Sequence, residues 1–396
     1  MLRYLLTTIR KSRIRIIPAL QNSPKRNLFA EFIIRRIRIF SVLKQIPIHI
    51  PNGKQFFLDG YPFPNSFASA VIDGLKNVGT SPTLIYSPPS KTSRIKICFR
   101  LFFYSLLTVP VLFRIIKTKK SRLDLVDLQV LIGYVGYTVF LRNNPQITPI
   151  VISDVTPESH MIWAAALSLK RQVFWWQIDY YYYNGPSNES MVPFPCSHAA
   201  VLNQKGLEIV LSQAPKAHVY QLNPTIIQPL RRIPEKPILG LATNGFFVGS
   251  PSQIELLIRI KKQFKISTIR LRLHPRSELD ESAFPKDLVT IAPRGERIED
   301  FAKSVDLAIV GNSAVQLNLL CEGLPVVHLS GLDPHGFDSY GYCQEGFTFG
   351  TSDVESLDLE AVQNFYSDPL WFNRLFEYLN IKEITRCRPL TELKIN

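Results

Sequence analysis

Short apolar runs alternate with amphipathic runs along most of the chain. KQFFLDG, PTLIYS and TPIVISD are rich in β-branched and aromatic side chains and close on turn residues, which predicts strands. PNSFASAVIDGLKNV and TPESHMIWAAALSLKRQ repeat their apolar positions every three or four residues, which predicts helices. VFWWQIDYYYY reads as a further strand, and HAAVLNQKGLEIVLSQ as strand, turn and helix. The segment from Asn223 to Pro237 carries four prolines in fifteen residues and reads as a linker.

Beyond the linker the pattern is more regular. Strands are predicted at 238–243, 267–274, 288–292 and 307–310 and at PVVHL, with helices near 252–264, in ERIEDFAKSV and near 314–322. Near-continuous apolar strands alternating with helices predict a doubly wound parallel sheet. The expected fold is α/β, with two Rossmann-like domains facing a cleft. The expected division is a basic arm at 1–44, an N-terminal domain at 45–222, the linker at 223–237, a C-terminal domain at 238–352 and a helical tail at 353–396.

Charge changes this picture at one place. Residues 1–44 hold 11 Lys and Arg against Glu31 alone, so they carry +10 of the chain's net +14. An arm that mixes Arg with Leu, Ile and Phe suits an anionic membrane surface. An organellar transit peptide and a solvated helix face are the competing readings. No module signature for nucleic acid accompanies the charge, so none is expected as a partner. The apolar stretch at 97–120 has Arg100, Pro110 and Arg114 within it, too short a run to span a bilayer; a buried or half-inserted helix fits it better. Five scattered cysteines without a CxxC pair suggest free thiols in a reducing compartment, and no cleavable signal peptide is expected.

In open parallel sheets, ligands sit beyond the carboxyl ends of the strands. Four predicted ends matter: Thr243-Asn244-Gly245, His274-Pro275-Arg276, Pro293-Arg294-Gly295 and Gly311-Asn312-Ser313. Pro275 stops its strand and aims the His274 imidazole beyond it. Small residues at Gly311, Asn312, Ser313 and Ala314 let an anion approach a helix start. Ser313 and Gln316 have capping-box spacing, which would satisfy the same donors internally. Gly323 is placed as a helix C-cap, and Glu322 before it as a surface residue or a ribose ligand. Arg276 and Arg294 are candidates to neutralise phosphate.

LRLHP followed by DLAIVGNSAVQLNLLCEGLPVV resembles the C-terminal domain of GT-B glycosyltransferases of bacterial surface polysaccharides. The likeness is to sialyl- and polysialyltransferases, capsule Kdo transferases and CDP-glycerol polyol-phosphate transferases. These share a His-Pro dipeptide after a strand and a Ser/Thr turn before the helix preceding G-x-P-V. It covers about Ile238–Phe347, and the N-terminal half by layout only. The resemblance implies that His274 and Ser313 contact the nucleotide and phosphate of a donor, with a CMP or CDP type favoured. It implies no metal and no cofactor besides that donor. HGFDSYGYCQEGF resembles the segment that returns toward the N-terminal domain, with Asp338, Tyr340 and Tyr342 lining the cleft or folded as a surface loop.

The chain departs from these families where they carry a base. Their acidic pair before Gly is reduced here to single acids, at Leu58-Asp59-Gly60 and Ile72-Asp73-Gly74. Where others show Gln-His-Gly, this chain reads Gln177-Ile178-Asp179. Asp179 is therefore the first candidate base, Asp154 and His160 the second and Asp59 the third. The expected function is transfer of a sugar from a nucleotide donor to a polysaccharide or lipid-linked acceptor, at the cytoplasmic face of the cell membrane. CDP-polyol phosphate transfer and a non-catalytic glycan- or nucleotide-binding role are the alternatives.

Overall fold

The structure, a computed structural model, describes residues 55–58, 71, 75, 83–85, 99, 102–110, 113, 125–151, 157–177, 196–222, 225–274, 277–382 and 387–392. The arm at 1–44 lies outside them. Two all-parallel sheets organise the described residues. The first contains β1 (Gln55–Leu58), β2 (Thr83–Ile85), β3 (Ile147–Val151), β4 (Phe174–Trp176), β5 (His198–Val201) and β6 (His218–Gln221), in the order β2-β1-β3-β4-β5-β6. Helices α1 (Leu125–Asn143), α2 (Pro157–Ser168) and α3 (Gln204–Gln213) precede β3, β4 and β6 respectively.

The second sheet contains β7 (Leu239–Ala242), β8 (Ile269–Arg272), β9 (Val289–Ile291), β10 (Leu307–Val310), β11 (Val326–Leu329) and β12 (Phe349–Thr351). Their spatial order is β9-β8-β7-β10-β11-β12, the 3-2-1-4-5-6 arrangement of a dinucleotide-type fold. Helices α4 (Pro251–Gln263), α5 (Ile298–Lys303) and α6 (Val315–Cys321) make the crossovers to β8, β10 and β11. Every residue of β7, β10 and β11 is buried, as covered parallel strands require. β8 alternates, with Ile269 and Leu271 inside and the two arginines that follow them, Arg270 and Arg272, half-exposed. Arg270 pairs with Glu296, and Arg272 donates to the Glu296 carbonyl at 3.3 Å.

The proline-rich stretch has no helix or strand at 225–238, yet it is not a loose tether. Ile227 and Ile233 join the C-terminal core. Gln228 N–H donates to the Cys321 carbonyl at 2.8 Å, and Arg231 N–H to the Gly323 carbonyl at 2.9 Å. The Arg231 guanidinium also caps α5, donating to the Ala302 carbonyl at 2.6 Å and to Val305 at 3.2 Å. Helix ends leave such carbonyls without partners, and an arginine fork suits them. Gly323 has φ +72°, with Leu324 N–H bonded to Leu319 O and Gly323 N–H to Leu320 O, so α6 ends in a Schellman turn. A side chain at Gly323 has no room against the Pro229 carbonyl.

After β12, α7 (Leu359–Tyr366) and α8 (Pro369–Leu379) bury Val362, Trp371 and Leu375 in the C-terminal core. The chain then crosses back. Asn380 Oδ1 accepts from Thr225 N–H at 3.0 Å, Ile381 and Cys387 enter the N-terminal core, and β13 (Arg388–Pro389) pairs in parallel with β6. The helical tail is thus divided between the two cores. β6, β12 and β13 add to the strands that the sequence pattern marks out. No described helix is long and apolar enough to cross a membrane.

Candidate functional site

In the C-terminal sheet, the strand order reverses between β7 and β10. Crossovers leave that pair in opposite directions, so their loops diverge and open a crevice beyond the carboxyl ends. Three side chains fill its floor. Asn244 follows β7, Asn312 follows β10, and Asp333 lies in the loop after β11. Asp333 Oδ2 accepts from Asn312 N–H at 2.7 Å and from Asn244 Nδ2 at 2.9 Å. Its Oδ1 accepts from Asn312 Nδ2 at 3.1 Å and from His335 N–H at 3.0 Å. Four N–H donors therefore surround one nearly buried carboxylate.

Gly311 makes this possible: a Cβ there would collide with the Asp333 carboxylate. The position that the sequence pattern offers to an incoming anion thus already holds one supplied by the protein. Asp333 escapes sequence reasoning because it lies beyond the strand motifs; its signal is an acid before Pro334 in the turn after β11. With its lone pairs engaged, Asp333 is not placed to act as a base.

Around this floor stand the remaining residues of the C-terminal set. Thr243 is buried and bridges β7 to β8: its hydroxyl accepts from His274 N–H at 3.0 Å and lies 3.4 Å from the Arg272 carbonyl. That bridge holds the His274 backbone at the rim. A Cβ on Gly245 would sit 3.7 Å from the His274 imidazole, so the ring stands directly beside the β7 turn. Ser313 is half-buried and its hydroxyl accepts from Val315 N–H at 3.3 Å. The backbone N–H groups of Ser313 and Ala314 have no partner among the described residues. Exposed Phe246 and Phe337 extend the rim, with Phe246 edge-on to His335 at 4.8 Å.

Other residues depart from their predicted places. The capping box at Ser313 does not form. Ala314 is the N-cap of α6 and gives no side-chain cap, and Gln316 turns inward, donating to the Gly311 carbonyl at 2.8 Å. The capping box of the C-terminal sheet lies instead on α4, between Ser250 and Gln253. Glu322 ends α6, a helix that runs away from the crevice, so it sits at the amino ends of the strands beside the Pro-rich segment. It is not a crevice residue. Arg294 follows the edge strand β9 and donates to the Leu279 carbonyl at 3.3 Å. Asp338 turns its carboxylate under its own loop, where Oδ2 accepts from Gln344 N–H at 2.8 Å. Tyr340 packs on the C-terminal core and Tyr342 is completely buried within it. Pro275 and Arg276 lie outside the described residues.

Beneath the crevice is a histidine that the strand pattern hides. His328, in the centre of PVVHL, is fully buried. Its Nε2 accepts from Asp338 N–H at 3.1 Å, and its Nδ1 lies 3.2 Å from the Gln316 side-chain amide nitrogen. Burial lowers its pKa below the ordinary value of 6.5, against the opposing pull of Asp338 and Asp333. His328 thereby ties the 333–341 loop to the strand that carries it.

The N-terminal strand ends are closed differently. Gln177, after β4, accepts from Leu202 N–H at 2.9 Å and donates to Asn203 Oδ1 at 3.1 Å. Asn203 Oδ1 also caps α3 through Gly206 N–H at 3.0 Å. Gln177, which begins the Gln-Ile-Asp stretch, is thus a buried structural amide. Of the candidate bases, Asp59, Asp154 and Asp179 lie outside the described residues, and His160 is placed only as a position in α2. Among the described residues, no His, Cys, Asp and Glu cluster has the makings of a metal site. Burial pushes the Cys196 and Cys321 thiols up to about 12, so neither is primed as a nucleophile.

Solved structures share this layout. The structure of S. aureus MnaA with UDP aligns over 83% of this chain and 92% of that one, at 12% identity and a TM-score of 0.50. A Listeria monocytogenes protein provisionally assigned as a UDP-N-acetylglucosamine 2-epimerase aligns over 84% and 92%, at 13% identity and 0.49. MurG of Acinetobacter baumannii aligns over 85% and 97%, at 12% identity and 0.43. No family model matches the chain, and no curated protein matches its sequence. At such identities the likeness is one of fold: two Rossmann-like α/β domains of the GT-B kind.

Proposed function

We propose that the chain is a glycosyltransferase whose C-terminal crevice binds a nucleotide-activated sugar, of cytidine type. The reading is carried by one observation: the His274 backbone and the Ser313 turn flank the Asn244–Asn312–Asp333 floor at the switch point of a dinucleotide-type sheet. The MnaA structure of the same layout contains UDP, which supports a nucleotide as the class of ligand. The donor phosphate would lie above Asp333, against the Ser313 and Ala314 N–H groups and the His274 imidazole. An acceptor hydroxyl attacks the anomeric carbon, its proton passes to a carboxylate, and the nucleotide leaves with the bonding pair. His274 and the backbone donors hold the charge that develops on that leaving group. Asp179 is the base proposed first, followed by Asp154, His160 and Asp59. The acceptor is a surface polysaccharide or its lipid-linked precursor, and the basic arm at 1–44 rests the enzyme on the cytoplasmic membrane face that presents it.

The test is the melting temperature with CMP, CDP, UDP and GDP. A ligand present at a hundred times its Kd adds about 2.7 kcal/mol, a rise of several degrees for a domain of this size. CMP or CDP should give that rise, and His274→Ala should abolish it. A response to UDP or GDP alone would overturn the cytidine assignment, and no response at all the donor reading. A second reading, nucleotide binding without transfer, is favoured by the Asp333 carboxylate in the crevice floor. A thermal response without turnover of CMP-sugars would select it, whereas turnover of CDP-glycerol would select polyol-phosphate transfer.

A further inference from the structure

Seven of the sixteen large apolar side chains exposed in the described residues fall between Phe99 and Phe113, so the apolar surface is concentrated and not scattered. Phe99, residues 102–110 and Phe113 are helical. Tyr104 and Thr108, one turn apart, are buried: Tyr104 joins the N-terminal core, and the Thr108 hydroxyl donates to its carbonyl at 2.6 Å. The opposite face is bare. Phe99, Phe102 and Phe113 are 71%, 64% and 69% exposed, and Phe103 and Leu106 lie between them. A helix facing water has the reverse distribution.

Charge selects the occupant. Residues 91–122 contain nine Lys and Arg and no acid. The arm at 1–44 is itself +10, and a second copy would bring the same nine cations, so both are repelled. We propose that this helix lies in the headgroup region of an anionic phospholipid bilayer, apolar face inward, with the flanking cations on lipid phosphates. Fifteen residues from Phe99 to Phe113 would reach about 22 Å even at helical rise throughout, short of a bilayer core of about 30 Å, so the proposed anchor lies on the surface and does not cross it. This anchor is separate from the arm. It does not rest on the glycosyl-transfer reading, because a chain that bound no nucleotide would keep it.

The experiment is co-sedimentation of the full chain with vesicles of phosphatidylcholine, with and without phosphatidylglycerol. Binding should be about tenfold or more stronger to the anionic vesicles and weaken with salt. Phe102→Ser combined with Leu106→Ser and Phe113→Ser should reduce it about tenfold or more, at an unchanged melting temperature. Lys117→Glu with Lys119→Glu and Lys120→Glu should do the same. As a variant independent of these, Phe103→Trp should add fluorescence that brominated lipid quenches. Wild-type binding by the serine variant, indifference of the wild type to phosphatidylglycerol, or no quenching of the fluorescence that Phe103→Trp adds would each overturn the proposal. So would a serine variant that loses self-association and keeps vesicle binding, which would make a second copy the occupant.

Discussion

The two sheets close their carboxyl ends with the same device and opposite electrostatics. In the N-terminal sheet, Gln177 and Asn203 form a buried amide pair, and Gly206 leaves the space that the Gln177 amide occupies. In the C-terminal sheet, Asn244 and Asn312 meet a carboxylate, and Gly311 leaves the space for it. The amide pair is neutral, and Asn203 Nδ2 is buried beside it without a partner among the described residues. The C-terminal donors are organised around the negative charge of Asp333, which the protein itself supplies. One architecture thus yields a structural seam in one domain and a polarised crevice in the other.

The largest expected effect breaks the charged closure. Asp333→Ala orphans four donors and should cost about 3 kcal/mol or more, read as a lowered urea midpoint. Inorganic phosphate should restore part of that loss by occupying the space that the carboxylate leaves. Gln177→Ala, the matching change in the neutral seam, should cost about 2 kcal/mol and show no response to phosphate.

Next come the two glycines, where the comparison is sharpened by double-mutant cycles. Gly311→Ala and Gly206→Ala should each destabilise by about 1–3 kcal/mol, since each Cβ meets a fixed polar side chain. The penalties should shrink in Asp333→Ala and Gln177→Ala backgrounds respectively, and not in the crossed ones. At the second site the sign should reverse, because Ala in a helix is favoured over Gly by about 1 kcal/mol once the obstacle is gone.

The smallest effect is on pH dependence. The pKa of His328 is lowered by burial and that of His198 by burial and by His218. In both cases the unfolded chain takes up a proton before the folded one does. Stability should therefore be level above about pH 7, decline as pH falls through about 6.5, and level off once the folded imidazoles protonate. His328→Gln should remove the C-terminal share of that decline, visible as a flatter plot of melting temperature against pH.

Regular elements were legible where one physical signal dominated. Strands such as LAIV, buried on both faces, need only apolar continuity, and their pattern states it plainly. β6, β12 and β13 were not legible, because each is short and takes its identity from a neighbour distant in sequence. The same divide runs through the site. Asn244, Asn312 and Ser313 announce themselves as small polar residues closing apolar strands. Asp333 and His328 do not, since their meaning comes from loops folding over a strand end. Ser313-x-x-Gln316 has the right letters for a cap, yet the Gly311 carbonyl competes for the Gln316 amide and wins it. Glu322 shows the limit of spacing alone: a crossover helix puts its two ends on opposite sides of a sheet.

The edge strand β13 has a consequence for the order of events during synthesis. β6 emerges from the ribosome with one side unpaired, and the segment that covers it follows only after every strand of the other domain has been made. The N-terminal sheet therefore waits with an open edge through the translation of its neighbour. Premature release within that interval leaves β6 available to any extended chain nearby, so nascent-chain truncations ending before Arg388 are the species that a chaperone would meet.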